Sequence, residues 1–535
     1  MTTLILPAAM PLHGEVEREE ATWVGLLDAE RLTPAIESLL LEGGERFDRA
    51  RLLVRDEVGV RGYVAVPVAN GAADAAAVRE AVAALPPAAA RLPEPASVPV
   101  TVVVCTRERP ETLRETLRSV AALEWHALEV IVVDNAPTTT RTAELVAREH
   151  PDFRYVREDT AGLSHARNAG LRAATSSIVA FTDDDVIVDP QWVRRLAAGF
   201  SAGEDVGCVT GAVPSGELRN AVQSYFDARV SWSKLIVPRV FRLSDPPADL
   251  PMFPFCVGEF GTGANFAVRR DTMVRLGGFD SALGAGTGTQ GGEDLDMFLR
   301  ILYAGSAIVV EPAAFVWHRH RADLEALTAQ AVGYGRGFGA WATTVVLDPR
   351  MLAAAARRAP RAVSRLLRKP MTTVEDATAA RAASATDRSV ARRELRSILD
   401  GPASYLRESR RQREAGVYTG PPSRGAVLER RLWAAIAAAA GVLGLLAALP
   451  LPTGLSLALL ACFVLVGPGA VVRAWVPLSP PLTSLAVPAL GVTAMILLVT
   501  ASAFAAWWQP ALVLAAISAV TLAVAALTYR AGVRT

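Results

Sequence analysis

The chain has 535 residues, of which 51% are hydrophobic and 20% are charged, with a formal net charge of +1. This length is too great for a single core, and the hydrophobic content excludes a disordered or low-complexity protein. The near-neutral total conceals three regions of different charge. Residues 1–349 contain 33 basic and 46 acidic residues, residues 350–431 contain 19 and 8, and beyond Arg431 there are three arginines and no acidic residue. We therefore expect an acidic front part, a basic middle and an apolar tail.

Neither a disulfide framework nor a secretory leader is expected. The N-terminal segment MTTLILPAAMPLHGEVEREE lacks a basic region and an apolar stretch of secretory length. The cysteines are far apart in the sequence and form no CxxC pair, which favours a reducing compartment. They are Cys105, Cys208, Cys256 and Cys462.

Residues 1–97 predict a small α+β appendage. The segment 50–67 has the pattern of a β-hairpin, and Ala72–Leu85 is typical of an alanine-rich helix. A proline-rich linker follows and leads to the next domain, which we place at residues 98–345. No motif in the appendage indicates chemistry.

Residues 98–211 alternate between strand and helix patterns, which favours a parallel, doubly wound sheet. Helices are predicted from Pro110, over Gly162–Ala174 and from Asp189-Pro190. The predicted strands are rich in β-branched and other apolar residues, as in strands that are buried on both faces. They are Val98–Thr106, Leu128–Val133, Phe153–Val156 and Ile178–Thr182.

Polar residues follow three of these strands: Thr106-Arg107, Asp134-Asn135 and Asp183–Asp185. In open α/β sheets, ligands bind beyond the carboxyl ends of the strands, so these residues are candidates for one site. The first turn, CTRERPETL, matches neither the Rossmann glycine pattern nor the P-loop. A dinucleotide site or a P-loop is therefore not expected.

The acidic triplet Asp183-Asp184-Asp185 predicts a divalent cation, because three adjacent carboxylates repel one another without a counter-charge. Oxygen ligands of this kind suit Mg²⁺ or Mn²⁺. In extended backbone, Asp183 and Asp185 point to one side, which we take as the ligand side, and Asp184 to the other. The alternative is an exposed acidic turn that caps the next helix.

Three further features have both a structural and a functional interpretation. His318, in VWHRH, is either structural or a ligand of the same metal. Glu293 and Asp294 begin a helix after two glycines, so they either interact with the helix dipole or supply a general base. Arg167, within a predicted helix, is either a surface residue or one that reaches a diphosphate.

The basic region, residues 346–431, contains the segment MLAAAARRAPRAVSRLLRKP, in which arginines are interspersed among apolar residues at helical spacing. The segment either lies on anionic lipid as an amphipathic helix or forms a solvated helical linker that folds back on the front domain. Prolines divide it into short pieces in either case.

Residues 432–535 predict an all-α transmembrane bundle of four spans, because each apolar run has about the 20 residues that cross a hydrocarbon core. A soluble bundle would need polar outer faces, which these runs lack. The arginines before, between and after the runs are placed as the positive-inside rule requires for a multi-pass protein of the cell membrane with its front domain in the cytoplasm. The spans are Leu432–Leu449, Gly454–Val472, Leu485–Trp508 and Ala511–Tyr529.

An ordered set of motifs resembles the family 2 glycosyltransferases of the GT-A fold, bacterial membrane-anchored type. The motifs are VVVCTRERPETL, VVDN, GLSHARNAGL, FTDDD, GTGANFAVRRDTMVRLGGFD, GGEDLDMFLR and VWH, within about residues 98–320. The resemblance implies a doubly wound, mostly parallel α/β sheet. It also implies inverting transfer, in one displacement, of a sugar from a UDP-, GDP- or dTDP-linked donor, with Mg²⁺ or Mn²⁺ and no nucleic acid.

The resemblance implies a role for each candidate residue. Asp294 would be the catalytic base, with Glu293 beside it, and Asp185 and His318 would bind the metal. The remaining residues would contact the nucleotide sugar: Thr106, Arg107 and Asp134 at the base, Asp183 at the ribose, Arg167 near the phosphates, Asp184 within the acidic triplet, and Asn265, with Gly263 and Ala264, along the donor or acceptor site.

One departure from the family bears on the product. Processive polysaccharide synthases carry a Q-x-x-R-W signature after the base, whereas Gln330 is followed here by AVGYGRGF. Transfer of one or a few sugars to a glycan or lipid-linked acceptor of the cell envelope is therefore favoured. A nucleotidyltransferase and a non-catalytic membrane scaffold with a decayed enzyme domain are the alternatives.

Overall fold

A computed structural model describes residues 2–89, 92–93, 95, 97–230, 236–348, 350–358, 385–421, 424–476, 480–504 and 510–531. The chain forms two compact units. The first contains residues 1–344 and 355–421, and the second contains residues 345–354 and 422–535.

The N-terminal region of the first unit contains two three-stranded sheets, β1-β3-β6 and β2-β4-β5, and one helix. Its elements are β1 (Thr2–Leu6), β2 (Trp23–Asp28), β3 (Ile36–Leu41), β4 (Arg49–Arg55), β5 (Val60–Pro67), β6 (Ala72–Asp74) and α1 (Ala75–Ala83). The hairpin prediction is confirmed, since β4 and β5 pair antiparallel. The predicted helix begins three residues late because Ala72–Asp74 pairs with β3, and the Asp74 carboxylate accepts hydrogen bonds from the first helical N–H groups.

The remainder of the first unit is built from alternating strands and helices. Its elements are β7 (Val100–Thr106), α2 (Pro110–Ala121), β8 (Leu128–Asn135), α3 (Arg141–Glu149), β9 (Arg154–Glu158), α4 (Leu163–Ala173), β10 (Ile178–Thr182), β11 (Val186–Val188), α5 (Trp192–Gly199), β12 (Val206–Gly211), α6 (Ala221–Arg229), β13 (Arg239–Phe241), β14 (Asn265–Arg269), α7 (Arg270–Arg275), α8 (Glu293–Tyr303), β15 (Ala307–Glu311), β16 (Val316–His318), α9 (Leu324–Leu347) and α10 (Ala385–Glu414).

These strands form a mixed sheet in the order β13-β15-β12-β14-β10-β7-β8-β9. The predicted α/β class is confirmed, and the four strands from β7 to β10 are parallel as expected. Among the described strands, four of the seven pairings in this sheet are parallel, because β14 runs antiparallel between β10 and β12 and β13 runs antiparallel beside β15. Apolar side chains of β7, β8 and β10 are fully buried and form the centre of the core.

The register of the parallel strands brings their polar ends together. Thr106 at the end of β7 pairs with Asp134 at the end of β8, and Thr182 of β10 pairs with Val104 of β7. A separate two-stranded ladder joins β11 to β16, with Val186 opposite His318. This ladder places His318 beside the acidic triplet, which immediately precedes β11.

Within the first unit, helix α10 packs against the segment at Asp280 and Ser281. The Tyr405 hydroxyl donates a 2.8 Å hydrogen bond to Asp280 Oδ2, and the Gln412 side-chain amide exchanges hydrogen bonds with Ser281. The later part of the basic region, in α10, thus folds back on the front domain, and the two alternatives for the arginine-rich segment stay predictions. Most of the arginine-rich segment proposed for the membrane surface, residues 359–370, lies outside the described residues.

The second unit contains α11 (Arg424–Ala447), α12 (Thr453–Trp475), α13 (Pro480–Phe504) and α14 (Pro510–Ala531). Within the described residues, three stretches are long and apolar enough to cross a membrane: Glu429–Ala447, Thr453–Trp475 and Ala511–Tyr529. The third predicted span falls on α13, whose apolar stretch Leu482–Ile496 is shorter, and its expected end lies outside the described part of the chain. The third of the four predicted spans, Leu485–Trp508, thus stays a prediction.

Candidate functional site

The acidic triplet lies at the carboxyl end of β10, where the sheet register collects the polar strand ends. The buried Thr106 hydroxyl donates a 2.7 Å hydrogen bond to Asp184 Oδ2. Arg109 Nη1 lies 3.2 Å from both Asp184 Oδ1 and Asp185 Oδ2. Asp184 is therefore held by protein groups, as its expected orientation away from its neighbours predicts.

Asp183, Asp185 and His318 form a cluster that fits a divalent cation. One ligand atom from each residue lies within 4.8 Å of the other two, and His318 Nε2 is 3.3 Å from Asp185 Oδ1. The predicted convergence of the triplet and the VWH motif is thus observed. Two carboxylates and one imidazole are a donor set that Mg²⁺ and Mn²⁺ both accept.

The pKa values of the cluster reflect a concentration of negative charge. Burial raises the pKa of Asp184 to about 6, with a further contribution from the charge on Asp185. Burial also raises the pKa of Asp183. Burial acts in the same direction on Asp185, but the charge and hydrogen bond of His318, together with the charges of Arg109 and Arg321, outweigh it and lower the pKa of this carboxyl. A bound cation would relieve the repulsion among these groups.

Arg167 joins several parts of the site and is itself only 2% exposed. Its Nη1 donates to Glu293 Oε1 at 2.8 Å, and its Nη2 donates to the Gly263 carbonyl at 2.8 Å. Nη2 also lies 3.5 Å from Asp183 Oδ1. The guanidinium stacks on the rings of Phe266 and Phe279. Arg167 therefore connects the start of α8, the turn at Gly263 and the acidic triplet.

The Glu-Asp pair at the start of α8 is divided between two environments. Glu293 is buried against Arg167, and burial together with the charge of Asp294 raises its pKa to about 7. The Asp294 side chain is partly exposed, and its Oδ2 accepts a 2.8 Å hydrogen bond from the Gly263 N–H. Asp294 is thus the carboxylate of the pair that is oriented and open to a substrate.

The second of the two glycines before this pair is required by close packing. Gly292 has φ +90°, in the left-handed region that favours glycine, and a Cβ there would lie 2.5 Å from the carbonyl oxygen of Gly337 in α9. The turn therefore fits directly against α9. This contact explains Gly292 without a ligand.

Asp134 lies near the carboxyl end of β8, opposite Thr106 of β7. Its carboxyl is buried, and Oδ2 accepts a 2.9 Å hydrogen bond from the Tyr155 hydroxyl. Asp134 Oδ1 is buried and has no hydrogen-bond partner among the described residues. Buried polar atoms are normally paired, so this oxygen is available to a ligand donor. Arg107 is exposed and approaches the loop at Gly286.

Asn265 is turned into the core. Its Nδ2 donates to the carbonyls of Ala212 and Ala314 at 2.8 and 2.7 Å, and its Oδ1 accepts from Trp192 Nε1 at 2.7 Å. These bonds join β14 to its neighbours, and the expected contact of this amide with the nucleotide sugar has no support in the geometry. Sequence reasoning missed Arg109, Arg321 and Tyr155, which make further polar contacts in the site.

Comparisons with known proteins identify the family of the chain. Residues 101–271 match the family model "Glycosyl transferase family 2". The succinoglycan biosynthesis protein ExoM of Rhizobium meliloti is 33% identical over 252 residues, which cover 45% of this chain and 74% of the relative. The chain therefore belongs to this family and is a glycosyltransferase.

Two further similarities are lower in sequence identity. The pre-mycofactocin glycosyltransferase of Mycobacterium tuberculosis is 28% identical, over 57% of this chain and 56% of its own length, so the match spans little more than half of that relative. A solved mannosyltransferase from Pyrobaculum calidifontis, in complex with GDP-mannose and Mn²⁺, is 21% identical with a TM-score of 0.36. That match covers 59% of this chain and 87% of the mannosyltransferase.

Proposed function

We propose that this glycosyltransferase is metal-dependent and inverting. It transfers a sugar from a nucleotide-sugar donor to a hydroxyl of a cell-envelope acceptor at the cytoplasmic face of the membrane. The proposal rests on two groups that lie together at one edge of the sheet. They are the cluster of Asp183, Asp185 and His318 and the oriented carboxylate of Asp294. Arg167 contacts both groups through Asp183 and the Gly263 turn.

Asp185 and His318 would hold Mg²⁺ or Mn²⁺, with Asp183 beside them or at the donor ribose. When bound, such a cation stabilises the negative charge that develops on the departing diphosphate. Arg109 lies against both Asp184 and Asp185 and keeps the triplet in place. Arg167 is fully engaged with protein groups, so we assign it to organising the site while its charge also favours an anionic donor.

Asp294 would act as the general base. The acceptor hydroxyl gives its proton to a carboxylate oxygen of Asp294 while the acceptor oxygen bonds to the anomeric carbon. The bond from that carbon to the diphosphate oxygen breaks, and the electron pair leaves with the nucleoside diphosphate. Attack from the side opposite the leaving group inverts the anomeric centre. Because the Gly263 N–H and Leu295 N–H each donate to Asp294, its carboxylate is oriented before substrate arrives.

The acceptor is proposed to be lipid-linked. Apolar helices that are long enough to cross a membrane would keep the enzyme beside the bilayer and raise its encounter with such an acceptor. One relative, from Haloferax volcanii, is named a glucosyl-dolichyl phosphate glucuronosyltransferase and is 29% identical over 196 residues. The arginines that flank the apolar helices favour the cytoplasmic face.

A donor screen tests the proposal. The full chain in detergent is incubated with UDP-, GDP- and dTDP-sugars, with and without Mn²⁺, and with lipid-linked or water-soluble acceptors. We expect metal-dependent release of a nucleoside diphosphate and a product of inverted anomeric configuration. Release of pyrophosphate would indicate a nucleotidyltransferase instead, and equal use of water-soluble acceptors would remove the lipid-linked acceptor from the proposal.

Asp134 is expected to contribute to donor affinity. Asp134→Asn replaces an anionic acceptor with an amide, and a hydrogen bond to a charged group contributes ~1.5–3 kcal/mol. We therefore expect the Kd of the preferred nucleoside diphosphate, measured by calorimetry, to rise about 10-fold or more. Asp159→Asn, at the same sheet edge but exposed, is the control and should leave Kd unchanged. Equal Kd values for both variants and the natural chain would exclude Asp134 from the nucleotide site.

A further inference from the structure

A continuous chain of polar side chains leads from His318 to the N-terminal strands. His318 Nδ1 lies 3.2 Å from His320 Nδ1, and His320 Nε2 lies 2.6 Å from the Ser215 hydroxyl. Ser215 donates to Asp227 Oδ1. Arg51 of β4 completes the chain with two hydrogen bonds to the Asp227 carboxylate, of 2.6 and 2.9 Å. We call these four residues beyond His318 the relay.

The relay is built into the core. Ser215 is fully buried, and His320 and Asp227 are 3% and 7% exposed. The backbone at Ser215 runs parallel to that at His318, with the His318 N–H donating to the Pro214 carbonyl. The ring of His320 packs 4.7 Å from that of Phe226 in α6. Each member is thus held in position by a different element of the fold.

When His318 Nε2 is a metal ligand, the contacts allow one consistent assignment of each shared hydrogen to its donor atom. A ligating Nε2 uses its lone pair, so the proton of His318 resides on Nδ1 and is donated to His320 Nδ1. Since His320 Nδ1 then accepts, the proton of His320 resides on Nε2 and is donated to Ser215. The Ser215 hydroxyl hydrogen is in turn donated to Asp227, whose ionised form is stabilised by Arg51.

We propose that Arg51, Asp227, Ser215 and His320 are positioning residues that fix the tautomer and orientation of His318 for metal binding. The N-terminal sheets thereby contribute to the metal site, although none of their residues touches it. This inference rests on the proposed function, because it assigns His318 to the metal. The carboxylate–histidine–metal arrangement is commonly direct, whereas here a second histidine and a serine lie between the carboxylate and the ligand.

A purely structural ion pair between Arg51 and Asp227 is the competing explanation, and the chain offers a matched control for it. Arg55, four residues later on β4, donates a 2.7 Å hydrogen bond to Asp189, which is 3% exposed. Arg55 therefore also joins the N-terminal sheet to a buried aspartate of the transferase domain. None of its hydrogen bonds in the described part of the chain reaches the relay.

The test measures Mn²⁺ binding by EPR on the full chain in detergent, without donor or acceptor. We expect Ser215→Ala, Asp227→Asn and Arg51→Gln each to raise the Kd for Mn²⁺ by about 10–100-fold, the usual effect of losing an outer partner of a metal-binding histidine. The Ser215→Thr variant keeps the hydroxyl, so its Kd for Mn²⁺ should be near that of the natural chain. Arg55→Gln should lower the melting temperature as Arg51→Gln does, yet leave the Kd for Mn²⁺ unchanged.

His318→Ala and Asp185→Asn separate failure of this inference from failure of the proposed function. If these two variants lose Mn²⁺ while the relay variants bind it as the natural chain does, the metal site stands and the relay is overturned. If Arg55→Gln weakens Mn²⁺ binding as much as Arg51→Gln does, the relay is overturned in favour of general destabilisation. If His318→Ala still binds Mn²⁺ normally, the proposed metal site itself fails, and the relay with it.

Discussion

Replacing Asp294 by Asn is expected to lower kcat by about 10²–10⁴-fold, the usual contribution of a general base. Asparagine has nearly the same shape, and its carbonyl oxygen can still accept the hydrogen bond from the Gly263 N–H, while only the local bond from the Leu295 N–H to the other oxygen is lost. The amide cannot take a proton from the acceptor hydroxyl at neutral pH. The loss should therefore fall on the chemical step, and the Kd of the donor should change by less than about twofold.

Single-turnover transfer with the donor in excess separates chemistry from binding in this experiment. Asp271→Asn is the matched control, because Asp271 also lies in the first turn of a helix, α7, but is exposed and outside the site. It should retain the kcat of the natural chain. Undiminished kcat in Asp294→Asn would remove this residue from the role of base.

Glu293, the neighbour of Asp294, offers a second comparison with the Asp294→Asn variant. Glu293 pairs with Arg167, and both side chains are buried, so above about pH 7, where Glu293 is ionised, Glu293→Gln removes the charge that compensates a buried guanidinium. Losing one partner of a buried pair costs ~3–5 kcal/mol. Glu293→Gln should thus show a lowered melting temperature, which Asp294→Asn should not. This difference distinguishes a catalytic carboxylate from one that holds the site together.

The central strands and their polar ends could be predicted from the sequence because both depend on local pattern. Val100–Thr106 and Ile178–Thr182 are apolar, β-branched runs, and parallel strands must end at the same edge of the sheet. The antiparallel β14 was not predicted as part of the sheet. Its place between β10 and β12 is determined by tertiary pairing and not by the pattern of Asn265–Arg269 itself.

The local sequence pattern does not reveal which of Arg107 and Arg109 contacts the acidic triplet. Glu108, between them, has φ +54°, and its carboxylate accepts hydrogen bonds from the N–H groups of Thr138 and Thr139. Arg109 reaches Asp184 and Asp185, while Arg107 is exposed. The positive φ of Glu108 occurs together with its hydrogen bonds to Thr138 and Thr139, about 30 residues further along the chain. Neither the spacing nor the residue types reveal these hydrogen bonds.

The N-terminal region illustrates the same limit. Its sequence carries no motif that indicates chemistry, yet Arg51 reaches Asp227 across 176 residues of chain. Arginine on a strand is ordinarily a surface residue, and serine, aspartate and a second histidine are common residue types. Only the folded arrangement connects them to His318.

Removing the divalent cation is expected to lower turnover by about 10²–10³-fold or more, because the leaving diphosphate would lose its main source of charge stabilisation. Chelation of the full chain with EDTA, followed by addition of Mn²⁺ or Mg²⁺, should abolish and then restore release of the nucleoside diphosphate. Asp185→Asn should show the same loss without restoration at the metal concentration that saturates the natural chain.

The geometry around Asp185 explains why Asp185→Asn should lose turnover without restoration by added metal. Its Oδ1 faces His318 Nε2 at 3.3 Å, and its Oδ2 lies 3.2 Å from Arg109 Nη1, so an amide retains the packing but not the anionic ligand. Asp205→Asn, an exposed aspartate that pairs with Arg242 outside the site, is the control and should respond to EDTA and Mn²⁺ as the natural chain does. If the chelated enzyme kept full activity, catalysis would have to depend on the cationic side chains Arg109 and Arg321 at the triplet, and the cluster would be an ion-pair network rather than a metal site.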